Sequence, residues 1–219
     1  MIRTIVFDMG GVLIKFDREF FIRRLGVDPK DEEVLMNEVF CSLEWARMDR
    51  GSMTESEAAE SICARLPERL HLAAERLVTM WDRPILEVDG MYALVKELKA
   101  KGYQVLLLSN ASVRQHEYWP RIPVSELFDG KLISSDVHLV KPQPEIYRLL
   151  CDTFHVHAEE CFFIDDAPIN IEGAYEAGIQ GAVFHGDAGA LRKALRAAGV
   201  TVDETCDSHT VLDRDSTAS

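Results

Sequence analysis

Three aspartates in this 219-residue chain directly follow apolar runs that are typical of buried strands. Asp8 follows the run 5–7, and the pair Asp165 and Asp166 follows the run 161–164. The carboxyl ends of parallel strands border one crevice in an open sheet, so we expect the three carboxylates to meet there. Converging carboxylates repel one another and are driven toward protonation unless a cation shares the site. Because no cysteine or histidine belongs to the cluster, the sequence predicts a divalent cation bound by oxygen, with Mg²⁺ favoured over zinc.

Two more apolar segments are interpreted in the same way as strands. They end at residues that can bind a phosphoryl group. The run 105–108 ends at Ser109 and Asn110, and the pair 139–140 ends at Lys141. A hydroxyl and an amide can hydrogen-bond phosphoryl oxygens, and a lysine supplies a positive point charge for them. We therefore expect all four clusters to line one pocket.

Gly10 and Gly11 form a turn shortly after Asp8. Because glycine has no side chain, the backbone N–H groups of this turn can approach a bound anion closely. Together the motifs describe phosphoryl transfer, in which Asp8 attacks phosphorus while a metal ion and Lys141 neutralise the charge.

The pattern of elements around these residues predicts an α/β fold with a doubly wound parallel sheet. From Asp89 onward, apolar strands alternate with helices that glycines terminate, which is the rhythm of βαβ units. Residues 15–84 lose the strand pattern and have the pattern of consecutive helices, one of them with a capping box at Thr54. We therefore predict a core of residues 1–14 and 85–219, with an all-helical cap, residues 15–84, inserted after the first strand.

The composition is that of an ordinary globular protein, with 47% apolar and 28% charged residues. The net charge of -13 repels polyanions, so no nucleic-acid partner is expected. No segment approaches the roughly 20 apolar residues of a membrane helix, and the first strand begins at Ile2, leaving no room for a signal peptide. We expect a cytoplasmic protein whose partner is a small phosphorylated metabolite. The acidic segment after Val202 is expected to be loosely ordered.

The motifs resemble those of the haloacid dehalogenase-like (HAD) hydrolases. The resemblance covers almost the whole chain, and the stretches 116–123, 141–147 and 162–178 look most like the glucose-1-phosphatase-like subgroup. It implies a Rossmann-like core and a phosphatase that acts on small metabolites, including sugar phosphates such as glucose 1-phosphate. The motifs that carry it are residues 8–13, Ser109 with Asn110, Lys141, and Asp165 and Asp166 followed by Asn170.

The resemblance also implies roles for individual residues. Asp8 would be the nucleophile, and Mg²⁺ would be held by Asp8, the Gly10 carbonyl oxygen and Asp166. Asp165 would support the metal ion through a water molecule, and Asn170 would contact these ligands without binding the metal ion itself.

Gly10 departs from the pattern of most phosphatases in this superfamily, which carry an aspartate as general acid and base two residues after the nucleophile. Without that donor, the enzyme should prefer phosphates whose leaving groups depart with little protonation, such as sugar 1-phosphates. A glycine there is also similar to true dehalogenases, so a 2-haloacid dehalogenase is one alternative, although two further acids beside the nucleophile argue against it. A catalytically silent protein that binds a phosphorylated metabolite is another.

Residues that select the substrate are expected mainly in the cap. Trp45, Arg47 and Asp49 lie in one predicted cap segment, and Tyr118 follows the Ser109 motif closely enough to line the pocket. The cap should close over the pocket and set specificity without changing the reaction type.

Overall fold

The protein, seen in a computed structural model that describes residues 1–204, is built on a five-stranded parallel sheet. The strands are β1 (Thr4–Phe7), β2 (Gln104–Ser109), β3 (Gly130–Ile133), β4 (Cys161–Asp165) and β5 (Gln180–Val183). Their spatial order is β3-β2-β1-β4-β5. The doubly wound α/β fold expected from the sequence is confirmed. Most of the acidic segment after Val202, from residue 205 onward, lies outside the described residues.

Helices fill the connections between the strands. None of those in residues 1–204 is long and apolar enough to cross a lipid bilayer. The α-helices are α1 (Arg18–Arg23), α2 (Pro29–Leu35), α3 (Leu43–Asp49), α4 (Glu55–Cys63), α5 (His71–Met80), α6 (Met91–Ala100), α7 (Gln115–Tyr118), α8 (Ser134–Val137), α9 (Pro144–Phe154), α10 (Pro168–Glu176) and α11 (Ala188–Ala197).

Both faces of the sheet are buried because strand residues alternate between two apolar clusters. Phe7 and Leu107 belong to the first cluster, together with the apolar sides of α6 and α11. Val6 and Leu106 belong to the second, together with those of α9 and α10. Near-continuous apolar strands are typical of sheets covered on both faces, which explains why the strand runs in the sequence show little alternation.

The register of β1 places two of the acids side by side. Phe7 pairs with Leu107 of β2 and with Ile164 of β4. The Asp8 N–H donates to the Ile164 carbonyl oxygen at 2.8 Å. Asp8 and Asp165 therefore lie next to each other at the carboxyl edge of the sheet.

The segment between β1 and α6 contains helices α1 to α5 and no named strand. The capping box at the start of α4 is confirmed, because the Glu57 N–H donates to Thr54 Oγ1 and the Thr54 N–H donates to Glu57 Oε2. The division of the chain at residues 15 and 84 stays a prediction.

The expectation that the pair 139–140 ends a strand is wrong. Val140 lies in a turn in which its N–H donates to Gln143 Oε1 and its carbonyl oxygen accepts from the Gln143 N–H, both at 2.8 Å. Besides β1, the strand that pairs with β2 is the short strand β3, whose glycine and lysine weaken the strand pattern in the sequence. Lys141 therefore reaches the site from a loop.

Candidate active site

Each of the four sequence motifs contributes to the wall of one cavity of about 260 Å³ at the carboxyl edge of the sheet. Motif residues in this wall are Asp8, Gly10, Asn110, Lys141, Asp166 and Asn170. The helical segment between β1 and α6 adds Phe16, Arg18, Trp45, Met48, Asp49, Val78 and Trp81. The site therefore lies between the sheet edge and the helices α1, α3 and α5.

Lys141 connects two of the acids. Its ammonium group donates to Asp8 Oδ1 and Asp165 Oδ2, both at 2.7 Å, and to the Leu108 carbonyl oxygen at 3.0 Å. Its side chain is only 1% exposed, so all three of its donors are used inside the protein. A buried ammonium is stable only when it is paired and fully hydrogen-bonded, as it is here.

Asp165 accepts hydrogen bonds on both oxygens. Oδ1 accepts from the Ala167 N–H at 2.8 Å, Oδ2 accepts from Lys141, and the Asn170 amide donates to both at 3.0 and 3.1 Å. Asp165 is completely buried. This carboxylate is therefore held rigidly, and most of its acceptor capacity is already in use.

The three acids form a compact cluster, in which one carboxylate oxygen from each of Asp8, Asp165 and Asp166 lies within 4.8 Å of the others. Asp166 is the exposed member. Three carboxylates and the Lys141 ammonium leave two negative charges, which one divalent cation would balance. The donor set is all oxygen, as Mg²⁺ prefers.

The crowding of these charges is reflected in their pKa values. Burial raises the pKa of Asp8 to about 7, and repulsion from Asp165 adds to it, although Lys141 acts in the opposite direction. Burial and then Asp165 also raise the pKa of Asp166. For Lys141, burial alone would lower the pKa, but attraction to Asp8 and Asp165 outweighs it and raises the value. The lysine therefore stays charged.

Asn110 lines the cavity, but its amide is engaged with the Lys141 backbone. Oδ1 accepts from the Lys141 N–H at 2.9 Å, and Nδ2 donates to the Lys141 carbonyl oxygen at 3.0 Å. In this geometry Asn110 positions the lysine loop. Ser109 is 1% exposed and is not among the residues that line the cavity, so its contact with phosphoryl oxygens stays a prediction.

Gly11 has a different use from the one expected. Its N–H donates to the Ile14 carbonyl oxygen at 2.8 Å and is therefore not available to a bound anion. Its φ is +74°, and a Cβ there would lie 2.2 Å from Asp166 Oδ2. Glycine is therefore needed because Asp166 packs against it.

The outcome for the residues expected to select the substrate is mixed. Trp45, Asp49 and Tyr118 line the cavity as expected, whereas Arg47 is exposed and does not. Sequence reasoning missed Arg18, which lines the cavity with its guanidinium 5.5 Å from the centre of the Phe16 ring. The closeness of residues 16 and 18 to the end of β1 is the signal that could have indicated them.

Comparison with protein families agrees with the motifs and the fold. A family model described as haloacid dehalogenase-like hydrolase matches residues 2–178. The chain belongs to this family. It is a haloacid dehalogenase-like hydrolase, and phosphatases are among its relatives.

Relatives of this hydrolase differ in how much of their length it spans. It is 27% identical over 194 residues to D-ribitol-5-phosphate phosphatase of Bacteroides thetaiotaomicron. This match covers 82% of this chain and 90% of the relative. It is also 27% identical over 153 residues to bifunctional epoxide hydrolase 2 of Mus musculus. That match covers 68% of this chain but only 27% of the relative.

The fold of the hydrolase is also found in solved structures. A HAD family enzyme from Bacteroides thetaiotaomicron, in complex with magnesium and inorganic phosphate, superposes with a TM-score of 0.63 at 23% identity. The match covers 87% of this chain and 99% of that one.

Proposed function

We propose that this hydrolase is a Mg²⁺-dependent phosphatase of small phosphorylated metabolites, with sugar phosphates such as glucose 1-phosphate as the first substrates to test. The observation that carries the proposal is the Lys141 ammonium, held 2.7 Å from both Asp8 and Asp165 at the wall of the cavity. This arrangement keeps a positive charge beside the nucleophile, where an incoming phosphoryl group is negative.

In the proposed reaction, an Asp8 carboxylate oxygen attacks phosphorus and forms an aspartyl phosphate, which water then hydrolyses. Lys141 orients Asp8 and offsets the charge of the phosphoryl oxygens. Asn110 holds the Lys141 backbone, and Asn170 holds Asp165. The buried, fully hydrogen-bonded lysine makes the nucleophile's position independent of the substrate.

Asp8, the Gly10 carbonyl oxygen and Asp166 would hold Mg²⁺, with Asp165 supporting it through water. The fit is good because Asp166 is exposed to the cavity, whereas Asp165 is buried and its oxygens are mostly occupied by donors. When bound, the ion would supply positive charge to the phosphoryl group. The Bacteroides enzyme of the same fold binds magnesium and phosphate, and we extend both to this chain as part of the proposal.

Residues 15–84 are proposed to act as a cap that selects the substrate. Trp45 and Arg18 of this segment, together with Tyr118 of α7, combine apolar rings with one positive charge at the cavity wall. This wall suits a small polar organic group that carries phosphate. A sugar phosphate has this combination of groups, as expected for an enzyme similar to the glucose-1-phosphatase-like subgroup.

Phosphate release from a panel of phosphorylated metabolites, with Mg²⁺ and with EDTA, tests the function. We expect turnover of several sugar phosphates that depends on Mg²⁺. Chloride release from a 2-chloroacid in place of phosphate release would indicate a dehalogenase, the alternative that Gly10 supports. Thermal stabilisation by metabolites with no turnover would indicate a silent binding protein.

Asp166→Ala is expected to weaken Mg²⁺ binding more than Asp165→Ala, because Asp165 is already used by Lys141, Ala167 and Asn170. The measurement is the rise in melting temperature with Mg²⁺ concentration, read beside the Mg²⁺ dependence of phosphate release. The exposed Asp89 provides the control variant Asp89→Ala. Equal shifts, or a larger shift for Asp165→Ala, would reverse the assignment.

A further inference from the structure

Gly10 occupies the position where most phosphatases of the superfamily carry their proton donor, and a glycine has no side chain for that role. A Cβ at Gly10 would lie 3.6 Å from Phe16 Cβ and 3.8 Å from Phe16 Cγ. Both are ordinary van der Waals distances, so the missing donor at Gly10 is a matter of sequence and not of space. A donor that serves this cavity must come from another element.

Asp49 provides a carboxyl group in the same cavity. It is the last residue of α3 and lines the cavity wall together with Asp8. Among residues 1–204 we find no hydrogen bond or ion pair to its side-chain oxygens. The residue is only half-buried, so its carboxyl group keeps access to the cavity. The described residues therefore leave this carboxyl group available to a ligand in the cavity.

The backbone at the end of α3 is fixed to the core, so Asp49 has a defined position. Ser134 Oγ donates to the Asp49 carbonyl oxygen at 2.5 Å and accepts from the Ala111 N–H at 2.9 Å. The His138 ring lies 3.0 Å from the Arg50 carbonyl oxygen. These contacts connect α3 to the segments that follow β2 and β3.

Gly51 completes this connection. It has a φ of +73°, and a Cβ on it would lie 2.2 Å from the Ser135 carbonyl oxygen. Only glycine allows the chain after Asp49 to lie this close to α8.

The surroundings of Asp49 favour its protonated form. Burial raises its pKa to about 8, and repulsion from Asp8 adds to the rise, whereas Arg18 on α1 and Lys141 lower it. Tyr118 on α7 is the other ionisable group that interacts with it, and its pKa is raised too, so it stays neutral. Asp49 therefore keeps its proton to a higher pH than an ordinary aspartate, as a proton donor must.

We infer that Asp49 is the general acid and base of this enzyme and supplies from α3 the function that is missing at Gly10. The inference rests on the proposed phosphatase function. As Asp8 attacks phosphorus, the bond from phosphorus to the leaving oxygen breaks, and that oxygen takes the proton of the Asp49 carboxyl group. The products of this step are the free alcohol, the aspartyl phosphate on Asp8, and an Asp49 carboxylate.

The second step returns the proton. The Asp49 carboxylate removes a proton from water as the water oxygen attacks phosphorus, and the bond from phosphorus to Asp8 breaks. Inorganic phosphate leaves, Asp8 is again a carboxylate, and Asp49 is again an acid. The sum is hydrolysis of one phosphate monoester by one water molecule.

The test compares wild type with Asp49→Asn on phosphate monoesters of graded leaving-group acidity. For an alkyl phosphate, which needs a proton on its leaving oxygen, kcat/KM should fall by at least about 10²-fold in the variant, while for p-nitrophenyl phosphate it should fall by less than about 3-fold. In wild type, kcat/KM should depend only weakly on the acidity of the leaving group. In the variant, this dependence should be steep. This differs from the expectation drawn from Gly10 alone.

A second measurement uses the first turnover. In Asp49→Asn, p-nitrophenyl phosphate should give a burst of p-nitrophenol followed by slow release, because hydrolysis of the aspartyl phosphate now lacks its base. With alkyl phosphates, wild-type kcat/KM should fall at alkaline pH as Asp49 loses its proton, and the variant should lack this decline. Asp89→Asn, at an exposed aspartate, is the matched control and should behave like wild type.

Three outcomes would overturn the inference. Equal losses of kcat/KM on alkyl and aryl phosphates would assign Asp49 to binding or to structure. A steep dependence of wild-type kcat/KM on leaving-group acidity would mean that no proton donor acts. This result is obtained with wild type alone, so it does not require the variant to fold. If wild type releases no phosphate from any monoester, the proposed function fails and the inference fails with it. The phosphate-release assay of the metabolite panel separates this outcome from the other two.

Discussion

Replacing Asp8 with asparagine is expected to abolish phosphate release, with kcat/KM at least about 10³-fold lower for every substrate. An amide has nearly the same shape as the carboxylate but is a poor nucleophile. The fold should be preserved, because the side-chain oxygen of the new asparagine can still accept from Lys141. In the absence of metal the melting temperature should rise slightly, since one of the crowded carboxylates is gone.

The measurement combines steady-state phosphate release with trapping of the labelled intermediate. Wild type quenched during turnover of a ³²P-labelled substrate should carry phosphate on Asp8, and Asp8→Asn should carry none. Asp89→Asn serves again as the exposed control. Activity of Asp8→Asn above a few per cent of wild type would exclude an aspartyl nucleophile.

Lys141→Met is expected to have the largest effect on stability. Removing the ammonium leaves the buried Asp8 and Asp165 without their shared cation, and loss of one partner from a buried ion pair typically costs about 3–5 kcal/mol. Phosphate release should also fall by at least about 10²-fold, because a fixed positive charge beside the phosphoryl group is lost. Lys96→Met, at an exposed position on α6, is the control and should change neither quantity.

The stability loss in Lys141→Met should depend on pH with a defined sign. In wild type, burial already raises the pKa of Asp8 to about 7, against about 3.9 in an unfolded chain. Without Lys141, which acts to lower it, the folded value is higher still. A group with a raised pKa in the folded state binds its proton more tightly there, so the variant should gain stability as pH falls from about 8 to about 5.

Urea unfolding in EDTA at several pH values would measure this. The gap in unfolding free energy between variant and wild type should be widest near the upper end of that pH range and narrower near the lower end. A gap that does not change with pH, or that widens as pH falls, would contradict the assignment of Lys141 as the charge partner of the two carboxylates.

The sheet and the acids at its edge follow from local sequence. A strand buried on both faces needs a continuous apolar run, and such a run ends where the polar side chains of the sheet edge begin. The runs before Asp8 and Asp165 therefore indicate both the strands and the acids that follow them. The capping box at Thr54 was predictable for a similar reason, because its partners are three residues apart.

How the lysine is held depends on tertiary contacts. Lys141 comes from a turn rather than a strand, and its backbone is paired with the Asn110 amide 31 residues away. An amide beside a predicted phosphate site could bind either the ligand or the protein, and local sequence does not distinguish these. The distinction came only from the position of the loop against the end of β2.

Tertiary contacts also select which side chains of the helical segment enter the cavity. Asp49 lines it and Arg47 does not, although both lie on α3. The end of α3 is fixed by Ser134 and His138, through contacts that span 85 and 88 residues along the chain. Helical periodicity indicates which residues share a face, but it does not say what that face packs against. The acids of the sheet edge follow from the local sequence pattern, whereas the presence of the Asp49 carboxyl group in the same cavity depends on how α3 docks against the core.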